Sequence, residues 1–147
     1  MTQIKQYMGS LFKAKCQTLV NPVNCVGVMG AGTALAFKYK YPEMFDKYAE
    51  LCKEEKLKLG NLWLYDVPNG NKKVLNVAIK EHWKHHVTYD TINEILLNFV
   101  FMYQVLGIKS VAFPILGQGN LNKQKVLNLM FQHLEKCKIP IEIYDFA

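Results

Sequence analysis

The chain has 147 residues, half of them hydrophobic and 20% charged, which is enough for one domain with a substantial core and ordinary for a soluble globular protein. No apolar run reaches the roughly 18 residues that span a bilayer. The start Met1-Thr2-Gln3-Ile4-Lys5-Gln6 has no charged-then-apolar signal pattern, and none of the four cysteines forms a Cys-x-x-Cys pair; a membrane protein, a disulfide frame and a zinc site are disfavoured, and the reducing cytoplasm fits.

In chain order, the pattern predicts a strand over Gln3–Met8 and a second over Gln17–Asn21. A helix follows over Ala31–Tyr39, and Pro42 starts another that runs over Glu43–Lys56 with Phe45, Tyr48, Ala49 and Cys52 on one face, until Gly60 stops the pattern. Leu62–Val67 and Val74–Ile79 read as strands joined by the turn Pro68-Asn69-Gly70-Asn71. After the polar segment Lys80–His86, Tyr89–Leu106 has helical spacing with Gly107 behind it. Ser110–Ile115 is a buried strand, Leu121–Cys137 the last long helix and Ile139–Phe146 a closing strand. Alternating strands and helices imply an α/β fold around a mixed sheet, with loops gathered at strand C-terminal ends.

Two of those loops have the composition of a phosphate cradle. Thr18, Leu19 and Val20 run into Asn21 and Asn24, then Gly27, Gly30 and Gly32, then a helix start. Glycines let the backbone approach closely, N–H groups at a helix start favour negative charge, and Asn amides can hold sugar hydroxyls. The second loop, Pro114-Ile115-Leu116-Gly117-Gln118-Gly119-Asn120, again connects a strand to a helix. Each alone is consistent with a tight turn; together they can clasp a diphosphate from both sides.

A third segment, Ile79-Lys80-Glu81-His82-Trp83-Lys84-His85-His86, follows an apolar strand. At a pocket rim, desolvation and neighbouring lysines would free the Lys80 amine for nucleophilic attack; on an open surface it is an ordinary lysine. Trp83 can stack on a base or cover apolar surface. The histidine spacing does not support a metal site. All 18 basic residues, which give the net charge of +6, are lysine. Lysine attracts phosphate as a point charge but lacks arginine's fork, so this surface suits a nucleic-acid backbone, or simply solvent, rather than base-specific groove reading.

The runs Asn21-Pro22-Val23-Asn24-Cys25-Val26-Gly27-Val28-Met29-Gly30-Ala31-Gly32, Ala34-Leu35-Ala36-Phe37-Lys38, Tyr41-Pro42-Glu43 and Leu116–Gly119, in this strand-helix order, resemble a macro domain. The resemblance is narrower to the branch that holds DarG antitoxins and the terminal ADP-ribose protein glycohydrolase, since Ile79–Lys84 is similar to its Thr-Lys-Arg-His-Trp-Arg-type catalytic loop. It covers nearly the whole chain and implies one domain over residues 1–147, with a three-layer α/β/α fold and a central mixed sheet. The implied ligand is ADP-ribose, with no cofactor and no metal, and the implied protein is a cytoplasmic monomer that removes ADP-ribose from modified DNA in an antitoxin role. Lys80 takes the place of the catalytic nucleophile, which attacks the anomeric carbon of the ribose, and Asn122 that of the assisting acid. Asn24 would contact the distal ribose, beside Asn21, Val28, Met29 and Thr33, with Gly30 and Gly32 near the phosphates. The loop Leu116, Gly117, Gln118, Gly119 and Asn120 would wrap the diphosphate, while Val20 and Ile115 line the cleft. Ser10 and Leu11 would meet the adenine, with Tyr144 or Phe146 stacked on it, and His82, Trp83 and Lys84 would touch DNA.

Two positions depart from the family pattern. Ser10, in Gly9-Ser10-Leu11, stands where relatives often carry Asp, and Leu121-Asn122 stands for Leu-Asp. An asparagine cannot accept a proton at neutral pH. The chain would then hydrolyse slowly, recruit Glu81 or a histidine, or bind ADP-ribose without turnover. The other reading of the same resemblance is a hydrolase of ADP-ribose-1″-phosphate or O-acetyl-ADP-ribose.

Overall fold

A computed structural model describes residues 4–146. Six strands form one sheet: β1 (Ile4–Met8), β2 (Thr18–Asn24), β3 (Leu62–Asp66), β4 (Lys73–Lys80), β5 (Val111–Pro114) and β6 (Ile141–Asp145). Their spatial order is β1-β6-β5-β2-β4-β3, and all neighbours are parallel except β3, which runs antiparallel to β4. The sheet is therefore mixed, as the alternation of elements implies. Gln3, expected to open the first strand, lies outside the described residues.

Four helices complete three layers. α1 (Gly32–Lys40) and α2 (Pro42–Lys53) cover one face, α3 (Tyr89–Met102) and α4 (Lys123–Leu134) the other. The period of two along each strand sorts its side chains between these layers. Leu75, Val77 and Ile79 of β4 join Ile92, Ile95, Phe99 and Met130, whereas Val74 and Ala78 join Phe37, Met44 and Tyr48. Among the described residues no helix is long and apolar enough to cross a membrane.

Most boundaries differ from the sequence reading by one or more residues; α3 stops at Met102 rather than Leu106, and α4 spans Lys123–Leu134 rather than Leu121–Cys137. β2 extends three residues further, through Pro22 to Asn24. β5 pairs with it only at Thr18 and Leu19, so beyond Leu19 β2 has a single neighbour, β4, and tolerates a proline. A short 3-10 turn at Leu11–Lys13 was not foreseen; Ser10 caps it by accepting from the Phe12 N–H. α2 stops at Lys53 because Glu55 takes a left-handed conformation, with φ of 57°. The Lys56 N–H then reaches back to Leu51 and the Glu55 N–H to Cys52, closing the helix end.

Between α3 and α4, His133 is buried with its Nε2 2.7 Å from Asn93 Oδ1, so Nε2 carries the proton. Its Nδ1 has no partner. Burial, and secondarily Lys136, hold the imidazole pKa below its ordinary value. The unfolded chain therefore takes up this proton more readily than the folded one, and stability falls as pH drops through the ordinary histidine range towards the lower folded-state value. The urea midpoint is expected to fall on going from pH 7.5 to pH 5, and a His133→Gln variant to show a smaller fall; equal slopes for both proteins would show that His133 is not responsible.

Candidate functional site

Parallel pairing of β2 with β4 builds the centre of the site. Val23 lies opposite Ala78, but the register then slips by one residue, so Asn24 meets Lys80 rather than Ile79. The backbone closes just beyond, where the Cys25 N–H donates to the Glu81 carbonyl at 3.1 Å. Two segments far apart in sequence thus end side by side at the sheet's C-terminal edge.

A cleft of about 620 Å³ opens there. Its lining comes from β2 and the following loop (Pro22, Val23, Asn24, Val28, Gly30), the start of α1 (Ala31, Thr33, Ala34), the end of β4 (Ile79, Lys80), Trp83 and Val87, and the loop after β5 (Pro114, Ile115, Gly117, Gln118, Asn120). Lys80 is the one ionisable side chain among these; none is a carboxylate, histidine or cysteine. Its Nζ donates to the Trp83 carbonyl at 3.3 Å, which holds the amine at the rim, and the Trp83 indole is half-exposed.

The first loop is held from within. Asn24 is buried, its Nδ2 donates to the Val28 carbonyl at 2.7 Å, and its Oδ1 accepts from the Val26 N–H at 3.0 Å. The Tyr48 hydroxyl of α2 adds a bond to the same Oδ1 at 2.7 Å. Burial, ahead of the nearby Cys52, raises the Tyr48 pKa, so the hydroxyl is a neutral donor. One Asn24 N–H is left for a ligand. Tyr48 was expected only as part of a core face, and nothing in its sequence spacing marks it as the support of Asn24. At the start of α1 no side chain caps the helix, which leaves its first N–H groups available for an anion at the cleft wall.

The second loop depends on a close approach. Gly117 has φ of +69°, and a Cβ there would lie 2.8 Å from Leu121 Cδ1 and 3.3 Å from Val87 Cγ1. The Asn120 Nδ2 donates to the Val87 carbonyl at 2.9 Å, tying this loop to the segment after β4. Asp145, at the end of β6, accepts from Gln118 Nε2 at 3.2 Å and pairs with Lys123 at 2.8 Å.

Several expected contacts are placed elsewhere. Val20 is fully buried under α3, and Leu11, Met29 and Leu116 are core residues. Asn21 is buried as well, its Nδ2 donating to Asn76 Oδ1 at 3.0 Å, because the β2–β4 register sets these residues opposite each other inside the sheet. Gly32 and Gly119 adjoin the cleft-lining residues in sequence but do not line it. Ser10 is occupied as the cap of the 3-10 turn. Tyr144 is 9% exposed, with its ring stacked on Tyr7 at 5.2 Å and its hydroxyl donated to Glu142 at 2.8 Å. Phe146, just past β6, is 70% exposed.

Asn122 is the principal correction. Its Oδ1 accepts from the Lys125 N–H at 3.0 Å and caps α4, and its own N–H donates to the Tyr89 hydroxyl. It does not line the cleft. Glu81 does not replace it, since it lines a separate groove together with Cys25, Val26 and Gly27. Burial pushes the neighbouring Cys25 thiol up to about 11, so it stays protonated and is no rival nucleophile. Outside the rim, Lys84 lies 5.1 Å over the Trp83 ring, and His82 packs on the same indole with its Nδ1 accepting from the Lys84 N–H. Among the described residues no group of His, Cys, Asp and Glu could hold a metal ion.

The family profile described as "Macro domain" matches residues 20–129. A DNA ADP-ribosyl glycohydrolase of Mycobacterium tuberculosis is 41% identical over 114 residues, which are 76% of this chain and 32% of that protein. The chain thus spans about a third of the length of the curated relatives it matches. The macrodomain of Thermus aquaticus DarG superposes with a TM-score of 0.90 at 31% identity, covering 100% of this chain and 99% of that one. Thermosipho africanus DarTG in complex with ADP-ribose gives 0.89 at 33% identity, covering 96% of this chain and 41% of that one.

Removing the Tyr48 hydroxyl tests the support of the first loop. Tyr48→Phe is expected to lower stability by about 1–2 kcal/mol, measured by urea unfolding, and to weaken ADP-ribose binding in calorimetry. Unchanged stability and affinity would show that the Asn24 bond is dispensable.

Proposed function

The chain belongs to the macro domain family, and we propose that it hydrolyses the bond between ADP-ribose and DNA, with Lys80 as nucleophile. The observation that carries this is the Asn24–Lys80 pairing, which puts the cleft's one ionisable side chain beside the amide assigned to the distal ribose. The uncapped start of α1 and the Gly117–Asn120 loop offer backbone N–H groups to the diphosphate. Gly30, Thr33, Val28 and Ile115 close around it.

In this mechanism the Lys80 amine bonds to the anomeric carbon as the bond from that carbon to the DNA base breaks. The base leaves with a proton, and the sugar ring opens in the adduct. Water then cleaves the adduct, freeing ADP-ribose and regenerating the amine. The lining supplies no carboxylate for proton transfer, so solvent at the open rim performs that step. General acid–base groups typically contribute roughly 100- to 10,000-fold, and slow turnover is the expected consequence.

His82, Trp83 and Lys84 extend from the rim as the contact for DNA, with an indole for base stacking and an ammonium for phosphate. The likeness to DarG macrodomains supports an antitoxin role, and the ligand in the DarTG complex supports ADP-ribose as the ligand of this cleft. A cytoplasmic setting fits four free thiols. The missing carboxylate favours one other reading, a binding module that retains ADP-ribose without turnover.

Incubation with ADP-ribosylated single-stranded DNA separates these readings. Release of free ADP-ribose is expected, and Lys80→Ala should slow it by roughly 1000-fold or more while calorimetry still detects ADP-ribose binding. Binding without release by the unaltered protein would overturn the enzyme reading and leave the module. Asn122→Ala should lower stability by about 1 kcal/mol, as loss of a helix cap does, with the defect seen in the unfolding midpoint.

A further inference from the structure

We infer that the outer face of α3 is a two-fold interface that joins two copies of this chain. Leu97, Phe101 and Val105 are 49%, 84% and 80% exposed. Scattered exposed apolar residues need no explanation. These three are spaced by four and fall on one ridge of a helix.

The ridge continues past Met102 because the backbone does. The Tyr103 N–H reaches the Phe99 carbonyl at 2.9 Å, and the Leu106 N–H reaches Met102 at 2.9 Å. The turn ends at Gly107, φ +73°, with Ile108 N–H to Tyr103 at 3.0 Å and Gly107 N–H to Gln104 at 3.1 Å. That is a Schellman closure. Beside the ridge lies a groove of about 380 Å³ whose lining includes Leu57, Leu62, Trp63 and Leu106.

Charge selects the occupant. The chain carries 18 lysines, yet α3 contains none. Asp90 and Glu94 are exposed and lie eleven and seven residues before Phe101, which puts them on the same helix face towards its start. Lys109 is exposed beyond the closure at Gly107. Along the chain direction the segment is therefore acidic before the apolar ridge and basic just beyond it, and Lys56 lines the adjoining groove. An antiparallel two-fold axis near Phe101 makes such a face complementary to itself. Glu94 lies seven residues before Phe101, about 10.5 Å along a helix, and Lys109 lies eight residues after it. Each Glu94 then approaches the Lys109 of the second copy, and each Phe101 enters the other copy's groove. A nucleic acid would meet carboxylates here without a single helix lysine.

The arrangement leaves the cleft open. α3 starts after β4 and ends before β5, so its C-terminal half, which carries Phe101, points away from the strand ends that form the cleft.

Sedimentation velocity over about a hundredfold range of concentration tests the inference. The unaltered chain is expected to shift from one copy to two. Phe101→Glu should raise the dimer dissociation constant by roughly 100-fold or more, with an unchanged thermal unfolding midpoint as the control for folding. Glu94→Lys should raise it roughly tenfold, as two rim ion pairs are lost, and adding Lys109→Glu should restore it. A chain that stays single throughout, a dimer that tolerates Phe101→Glu, or a charge exchange that restores nothing would each overturn the proposal.

Discussion

The one-residue slip between β2 and β4 is the constraint on which the site depends. With the register continued unchanged, Ile79 would sit opposite Asn24. The slip sets Lys80 there instead, and a buried amide pair, Asn21 with Asn76, fixes the ladder three residues earlier. Those two amides are buried polar groups, and pairing with each other removes much of the penalty of their desolvation. A shifted register would part them inside the core. The polar contact is thus a device for alignment, and the geometry of the cleft follows from it.

The loops then add what the ladder cannot. Asn24 is oriented by Tyr48 from a helix on one face, while the second loop is seated by Val87 and Leu121 on the other face. The cleft lies where both helical layers reach the end of the sheet. Its walls are backbone-rich and uncharged, which suits a ligand that brings its own phosphates, and its one amine faces the rim where a leaving group can depart.

The fold was legible because its signals are local. Periodicity located the six strands and four α-helices, glycine and proline punctuation placed most turns, and the two glycine loops marked the end of the sheet where the cleft opens. The boundaries missed have tertiary causes. Pro22 reads as a loop residue until β4 is known to be its single neighbour, and nothing in the sequence shows that Glu55 will take the left-handed conformation that ends α2. Cleft-lining residues were legible where chemistry and position coincide, as at Lys80, Asn24 and Gly117. Asn21 and Asn122 have the right chemistry but are used elsewhere, one within the sheet and one as a helix cap. Only the pairing partner of Asn21 and the hydrogen bond of Asn122 separate those uses from ligand contact, and both are three-dimensional facts.

The position of β1 has a kinetic consequence. It pairs only with β6, so Ile4 meets Ile141, and most of its side chains face solvent. Closing so large a loop has a high entropic cost and yields little apolar burial. This strand therefore zips onto the sheet last and detaches first. Its amide hydrogens are expected to exchange earlier than those of β2 and β4, the inner strands on which the cleft is built.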